Sequence, residues 1–163
     1  TLFRSIPIIM KAIRKQPFRI LGKSEMSKIP VFGFLYRNAV VMVDRSSAQR
    51  RAESVQQLKL FIQKGISVVI APEGTFNMTS NPLKQFYDGA FKLSVETQKP
   101  IIPVVLLNTK KILPARPILY FTPGKIDMHI LPAIYPQGHT KDSLKQAVYD
   151  VMANYYLENN GKK

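Results

Sequence analysis

Between residues 40 and 107 the chain alternates short apolar runs with segments of helical period, and this alternation restricts the fold more than any other feature. Val40–Val43, Ser67–Ile70 and Ile101–Leu107 read as buried strands. Between the first two, Ala48, Ala52, Val55, Leu58 and Ile62 recur every three or four residues. Ser46 or Ser47 can cap that helix and Gly65 can end it. A second helix is expected over Gly89–Thr97, after a turn at Pro72–Thr75. Strand, helix, strand, helix, strand is the pattern of parallel units, so the expected fold class is α/β, a mostly parallel sheet with flanking helices.

The flanks fit around this centre. A helix of about ten residues should begin near Pro7, and Phe18–Leu21 should form a short strand ended by Gly22, followed by an irregular loop containing Pro30 and Gly33. Beyond residue 107, Ile118–Phe121 and Lys125–Leu131 read as strands joined by a turn at Pro123-Gly124. A closing helix has Asp142 near its start, followed by Leu144, Val148, Val151, Met152 and Tyr155 on its apolar face. One domain over residues 1–158 and a flexible tail over 159–163 are expected.

Composition narrows the chemistry. There is no cysteine, which excludes disulfides and thiolate metal sites, and His129 and His139 are too far apart for a local ligand pair, so no metal is expected. The apolar run Ile101–Leu107 falls far short of the ~20 residues of a spanning helix. The absence of a secretion signal fits a cytoplasmic origin. The net charge is +14, and residues 1–51 hold eleven Lys or Arg against only Glu25 and Asp44. Such a field favours an anionic partner: an anionic membrane surface, a phosphorylated substrate or nucleic acid. Nucleic acid is not expected, because the chain has no ribonucleoprotein aromatic signature, no Gly-x-x-Gly loop among basic residues and no zinc knuckle. Serine hydrolase chemistry is disfavoured by the lack of a Gly-x-Ser-x-Gly elbow.

In open α/β sheets ligands bind beyond the carboxyl ends of the strands. Two loops stand there: Asp44-Arg45-Ser46-Ser47 and Pro72-Glu73-Gly74-Thr75. An Arg beside a helix amino terminus suits phosphate oxygens, and a Gly lets backbone approach a ligand. Taken separately, an Asp-Arg pair is usually a surface ion pair and Pro-Glu-Gly an ordinary turn.

In order, the blocks Gly22-Lys23-Ser24-Glu25-Met26, Ile29-Pro30-Val31-Phe32-Gly33, Val41-Met42-Val43-Asp44-Arg45, Pro72-Glu73-Gly74-Thr75 and Pro100-Ile101-Ile102-Pro103-Val104 resemble those of the glycerolipid acyltransferase family, from about Lys23 to Ile134. The resemblance implies transfer of a fatty acyl group from acyl-CoA or acyl carrier protein, as co-substrate, to the hydroxyl of a lysolipid such as lysophosphatidic acid. No cofactor is implied. Arg45 would hold the acceptor's phosphate, while Glu73, Gly74 and Thr75 would shape the acceptor site. The family's histidine block, His-x-x-x-x-Asp, is absent: Ile134 lies five residues after His129 and Leu144 five after His139. His129 reads instead as a strand residue and His139 as a loop residue. The chain starts about where that block would end, as expected of a domain cut at its amino terminus, and the fragment alone is expected to be inactive. Phe76 stands where the family has Arg, Tyr87-Asp88 where a basic residue is common, and Asn38-Ala39 in place of Gly-Gly. A lysolipid with a less anionic head is therefore an alternative acceptor. A non-catalytic lipid-binding relative is the alternative function. The expected location is peripheral, at the cytoplasmic face of a membrane.

Overall fold

The computed structural model describes residues 8–9, 11–13, 16–23, 40–43, 48–75, 77–112 and 123–160. These fall into two compact units, residues 2–71 and 72–163. The expected loop near Pro30 and Gly33, the strand Ile118–Phe121 and the Asp44–Ser47 loop all lie outside the described residues.

In the first unit, β1 (Phe18–Lys23), β2 (Val40–Val43) and β3 (Ser67–Val69) form a parallel sheet in the order β2-β1-β3. Ile20 pairs with Val40 on one side and with Val69 on the other, and it is completely buried. Gly22 does not end β1 but pairs with Met42 inside it. A glycine in a strand weakens it without forbidding it, and here the ladder carries the position. Helix α1 (Ala48–Gln63) connects β2 to β3, the long crossover that parallel strands require. Its end follows the expected signal. Gly65 adopts φ 75°, and the N–H groups of Gly65 and Ile66 bond the carbonyls of Ile62 and Phe61 at 3.0 and 2.9 Å, a Schellman closure. Its buried face carries Ser54 and Leu58, whereas Ala52, expected on that face, is exposed. Ser54 is accommodated because its hydroxyl donates to the Arg50 carbonyl at 2.9 Å. Ahead of the sheet, Ile8, Ile9, Lys11 and Ala12 are helical, with the Ile13 N–H bonded to the Ile9 carbonyl.

The second unit contains α2 (Gly89–Thr97), β4 (Val104–Leu107), the four-residue helix α3 (Thr109–Ile112), β5 (Asp127–Ile130) and α4 (Lys141–Asn159). Helix α2 has the expected bounds. Strand β4 starts three residues later than expected: Pro103 lacks an N–H for a ladder, and Ile101 makes only an isolated bridge to Ile134. Its partner is β5, antiparallel, with Val105 opposite His129. Asp142 stands in the first turn of α4, as expected, and the cap is Thr140. The Thr140 hydroxyl accepts the Ser143 N–H at 3.2 Å, and the Thr140 N–H donates to the Ser143 hydroxyl at 2.9 Å. The helix runs through Asn159, the first residue of the expected tail, whose side chain donates to the Tyr155 carbonyl at 2.9 Å.

Two apolar clusters share α4. Leu83, Phe86 and Phe91 pack with Leu144, Val148 and Ala153, and Phe86 meets the Tyr149 ring edge-on at 5.1 Å. Val105, Leu107 and Leu131 pack with Met152, Tyr155 and Tyr156. Val151, expected on the apolar face, is 39% exposed, because the buried stripe runs through Leu144 and Val148 to Ala153.

Candidate functional site

After Ile70 and Ala71, which follow β3 in the chain, Pro72-Glu73-Gly74-Thr75 forms the expected turn. Gly74 has φ 68°, a backbone conformation that a Cβ disfavours, and the Thr75 N–H closes onto the Glu73 carbonyl at 2.8 Å. The turn is clasped to the segment leading into α2. The Lys84 N–H donates to Glu73 Oε2 at 2.8 Å, the Lys84 ammonium donates to Thr75 Oγ1 at 2.7 Å, and the Tyr87 N–H donates to the Pro72 carbonyl at 2.9 Å. Glu73 and Gly74 are half-buried and Thr75 is exposed. The carboxylate of Glu73 is thus occupied by backbone, and its role is to shape the loop that presents Thr75. Three of the four site residues expected from the sequence are brought together in this way. The fourth, Arg45, lies outside the described residues, as does Phe76.

Lys84 went unnoticed in the sequence. Nothing in its spacing marks it; only the path of the chain returns its side chain to a turn nine residues earlier. Asp88, at a position where a basic residue was expected, has a different environment. It lies 2.8 Å from Lys141 Nζ and 2.7 Å from Lys145 Nζ at the start of α4. Hydrogen bonds from Lys141 and then Lys145 lower its pKa to about 2, and the bond to Asp88 raises that of Lys141. The Asp88 side chain makes no capping bond at the start of α2, although it sits at the cap position.

The histidines have the modest roles read from the sequence. His129 lies in β5 with Nδ1 2.9 Å from the Tyr155 hydroxyl, and His139 lies in a loop with Nδ1 3.1 Å from the Ser143 hydroxyl. Among the described residues neither histidine meets a carboxylate, and no three His, Asp or Glu side chains gather as a metal site would need. No helix among them is long and apolar enough to cross a membrane.

A protein-family model described as Acyltransferase matches residues 6–107. A 1-acyl-sn-glycerol-3-phosphate acyltransferase of Cocos nucifera is 34% identical over 118 residues, covering 66% of this chain and 38% of that protein. One from Haemophilus influenzae is 33% identical over 128 residues, covering 77% of this chain and 51% of that protein. The crystal structure of the 1-acyl-sn-glycerophosphate acyltransferase from Thermotoga maritima superposes with a TM-score of 0.73 at 23% identity, over 90% of this chain and 59% of that one, a likeness of fold. The chain therefore belongs to the acyltransferase family and has its α/β fold. It spans about half or less of the length of these two curated relatives.

Proposed function

We propose that this domain serves the transfer of a fatty acyl group from acyl-CoA or acyl carrier protein to the hydroxyl of a lysolipid, with lysophosphatidic acid as the leading acceptor. The hydroxyl oxygen attacks the thioester carbonyl, the new ester bond forms as the carbon–sulfur bond breaks, and the thiol leaves with the proton. The observation that carries this reading is the clasped Glu73-Gly74-Thr75 turn directly following a parallel strand, in a chain whose named relatives acylate 1-acyl-sn-glycerol-3-phosphate. Arg45, after β2, is assigned to the acceptor's phosphate.

Residues 1–163 contain no His-x-x-x-x-Asp motif, since neither histidine is followed by an aspartate five residues on. The 163-residue chain is therefore expected to lack acyl transfer, and a fusion supplying a relative's His-x-x-x-x-Asp segment ahead of residue 1 should gain it. Loss of a general base costs ~10²- to 10⁴-fold in rate, a difference that thioester consumption with lysophosphatidic acid reads directly. Turnover by the unextended chain at the rate of the fusion would refute the assignment of that role. A second reading is a lipid-binding relative without catalysis. A fusion that binds lysolipid yet transfers nothing would support it.

The domain is further proposed to act peripherally at the cytoplasmic face of a membrane, held by charge. Ile9, which could have served as an apolar anchor, is buried, and the Arg19 guanidinium is engaged over the Phe61 ring at 5.7 Å, while Lys11 is exposed. Attraction from the remaining basic residues of the first third is worth ~1 kcal/mol each near an anionic surface and decays over ~8–10 Å at physiological salt. Co-sedimentation should show binding to anionic vesicles, none to neutral ones, and release by salt. Equal binding to both kinds of vesicle would sink the electrostatic account.

A further inference from the structure

Phe76 leaves the exposed turn without the cation that the resemblance leads one to expect there, yet the structure brings a different one to its edge. Lys84 is half-buried, and its ammonium reaches the Thr75 hydroxyl at 2.7 Å, immediately before position 76. An ammonium carries three donors, and this one has a single bonded partner and no carboxylate within ion-pair distance among the described residues. Lys84 also lines an open cleft of about 580 Å³, together with Asn81, Gln85, Gln146 and, on its apolar side, Leu83 and Phe86. Lys145, the other cation of that cleft, is committed to Asp88 at 2.7 Å. The cleft thus offers a cation with donors to spare among the described residues, amide groups and an apolar wall, a combination suited to an anionic head joined to an apolar body.

We propose that Lys84 is the specificity-determining cation of the acceptor site, recognising the phosphate monoester of the lysolipid and selecting it over an acceptor with an uncharged head. This deepens the function proposed above and rests on it. Lys84 positions the acceptor; it takes no part in proton transfer.

The test compares the affinities of the wild-type chain for a water-soluble short-chain 1-acyl-glycerol 3-phosphate and for the matching monoacylglycerol, with Lys84→Met, Lys84→Gln and Lys84→Arg as variants. Wild type should prefer the phosphate form, and inorganic phosphate should compete with it weakly. Lys84→Met keeps the apolar stem and should reduce the preference about ten- to a hundredfold, the range of one charge-assisted hydrogen bond, whereas Lys84→Arg should keep most of it. Binding of the monoacylglycerol should stay within a few-fold in all three. If Lys84→Met does not fold, Lys84→Gln gives the same reading. A wild-type preference retained in Lys84→Met and Lys84→Gln overturns the proposal and leaves Lys84 as a tie for the turn. Equal wild-type binding of both ligands overturns it too, with lysolipid binding intact. Binding of neither ligand overturns the underlying functional reading as well. Competition by inorganic phosphate as strong as that of the lipid would assign the site to free phosphate and also overturn it.

Discussion

Glu73 and Asp88 lie fifteen residues apart at the two ends of one segment, and their carboxylates are used in opposite ways. Glu73 is half-buried and accepts a backbone N–H, so its charge organises the chain around it. Asp88 is exposed and takes two lysine ammonium groups of α4, so its charge links the start of one helix to the start of another. Leu83, Phe86 and Phe91, packed on Leu144, hold both ends in place from beneath. A carboxylate that bonds backbone fixes local geometry, whereas one that meets long, solvated side chains does so only weakly, because those side chains must give up freedom and remain screened. On this contrast the turn at Glu73 is a locally fixed structure, and the junction at Asp88 is a surface staple.

Glu73→Ala should show the larger effect. It removes the acceptor at 2.8 Å from the Lys84 N–H and leaves that donor to find water in a half-buried place. A loss of about 1–3 kcal/mol is expected, read from denaturant unfolding, and lysolipid affinity should fall with it because Lys84 and Thr75 lose their common frame. Glu73→Gln keeps a carbonyl oxygen and should recover a good part of the stability. If Glu73→Ala is as stable as the wild type, the carboxylate does not organise the turn, and the contrast with Asp88 fails at its stronger end.

What could be read from the sequence follows from how local each cause is. Gly65 ended α1 as expected because glycine takes the left-handed conformation after a helix without steric cost. Pro72–Thr75 was legible as a turn for that reason too. The antiparallel pairing of β4 with β5 was not, since a strand's apolar pattern says that it is buried without naming its neighbour. Gly22 inside β1 shows the converse, a local breaker overruled by pairing on the ladder. At α4 the first-turn charge of Asp142 was legible, whereas the cap depends on reciprocal bonds between Thr140 and Ser143. Lys84 is the hardest case, because its significance depends on a return contact across the turn that no periodicity encodes. Of the expected site, Glu73, Gly74 and Thr75 can be assessed in space and Arg45 lies outside the described residues.

The weaker end of the comparison is tested by Asp88→Asn, where the expected effect is small and depends on pH. Asp88 ordinarily would titrate near ~3.9, and in the folded protein its pKa is lowered to about 2. A depressed folded-state value means that the charge stabilises the fold at every pH above the ordinary value. That contribution then disappears as the pH falls through about 2. Wild type should therefore be slightly more stable than Asp88→Asn at neutral pH, and the difference should shrink between pH ~4 and about 2. Lys141, whose pKa is raised by the same bond, works at the other limit: its contribution is present below the ordinary lysine value and is lost as the pH rises through the folded one. Because the partners are solvated, salt should also narrow the difference at neutral pH. Asparagine retains the shape of aspartate, and Asp88 makes no capping bond at the start of α2, so the change removes the charge without removing a cap. Urea unfolding of both proteins from pH 7 to pH 2, at low and high salt, decides between the causes. A gap that closes in acid and in salt identifies the staple to α4, whereas a gap unchanged by either would show that the charge of Asp88 is not its cause and would remove the distinction from Glu73.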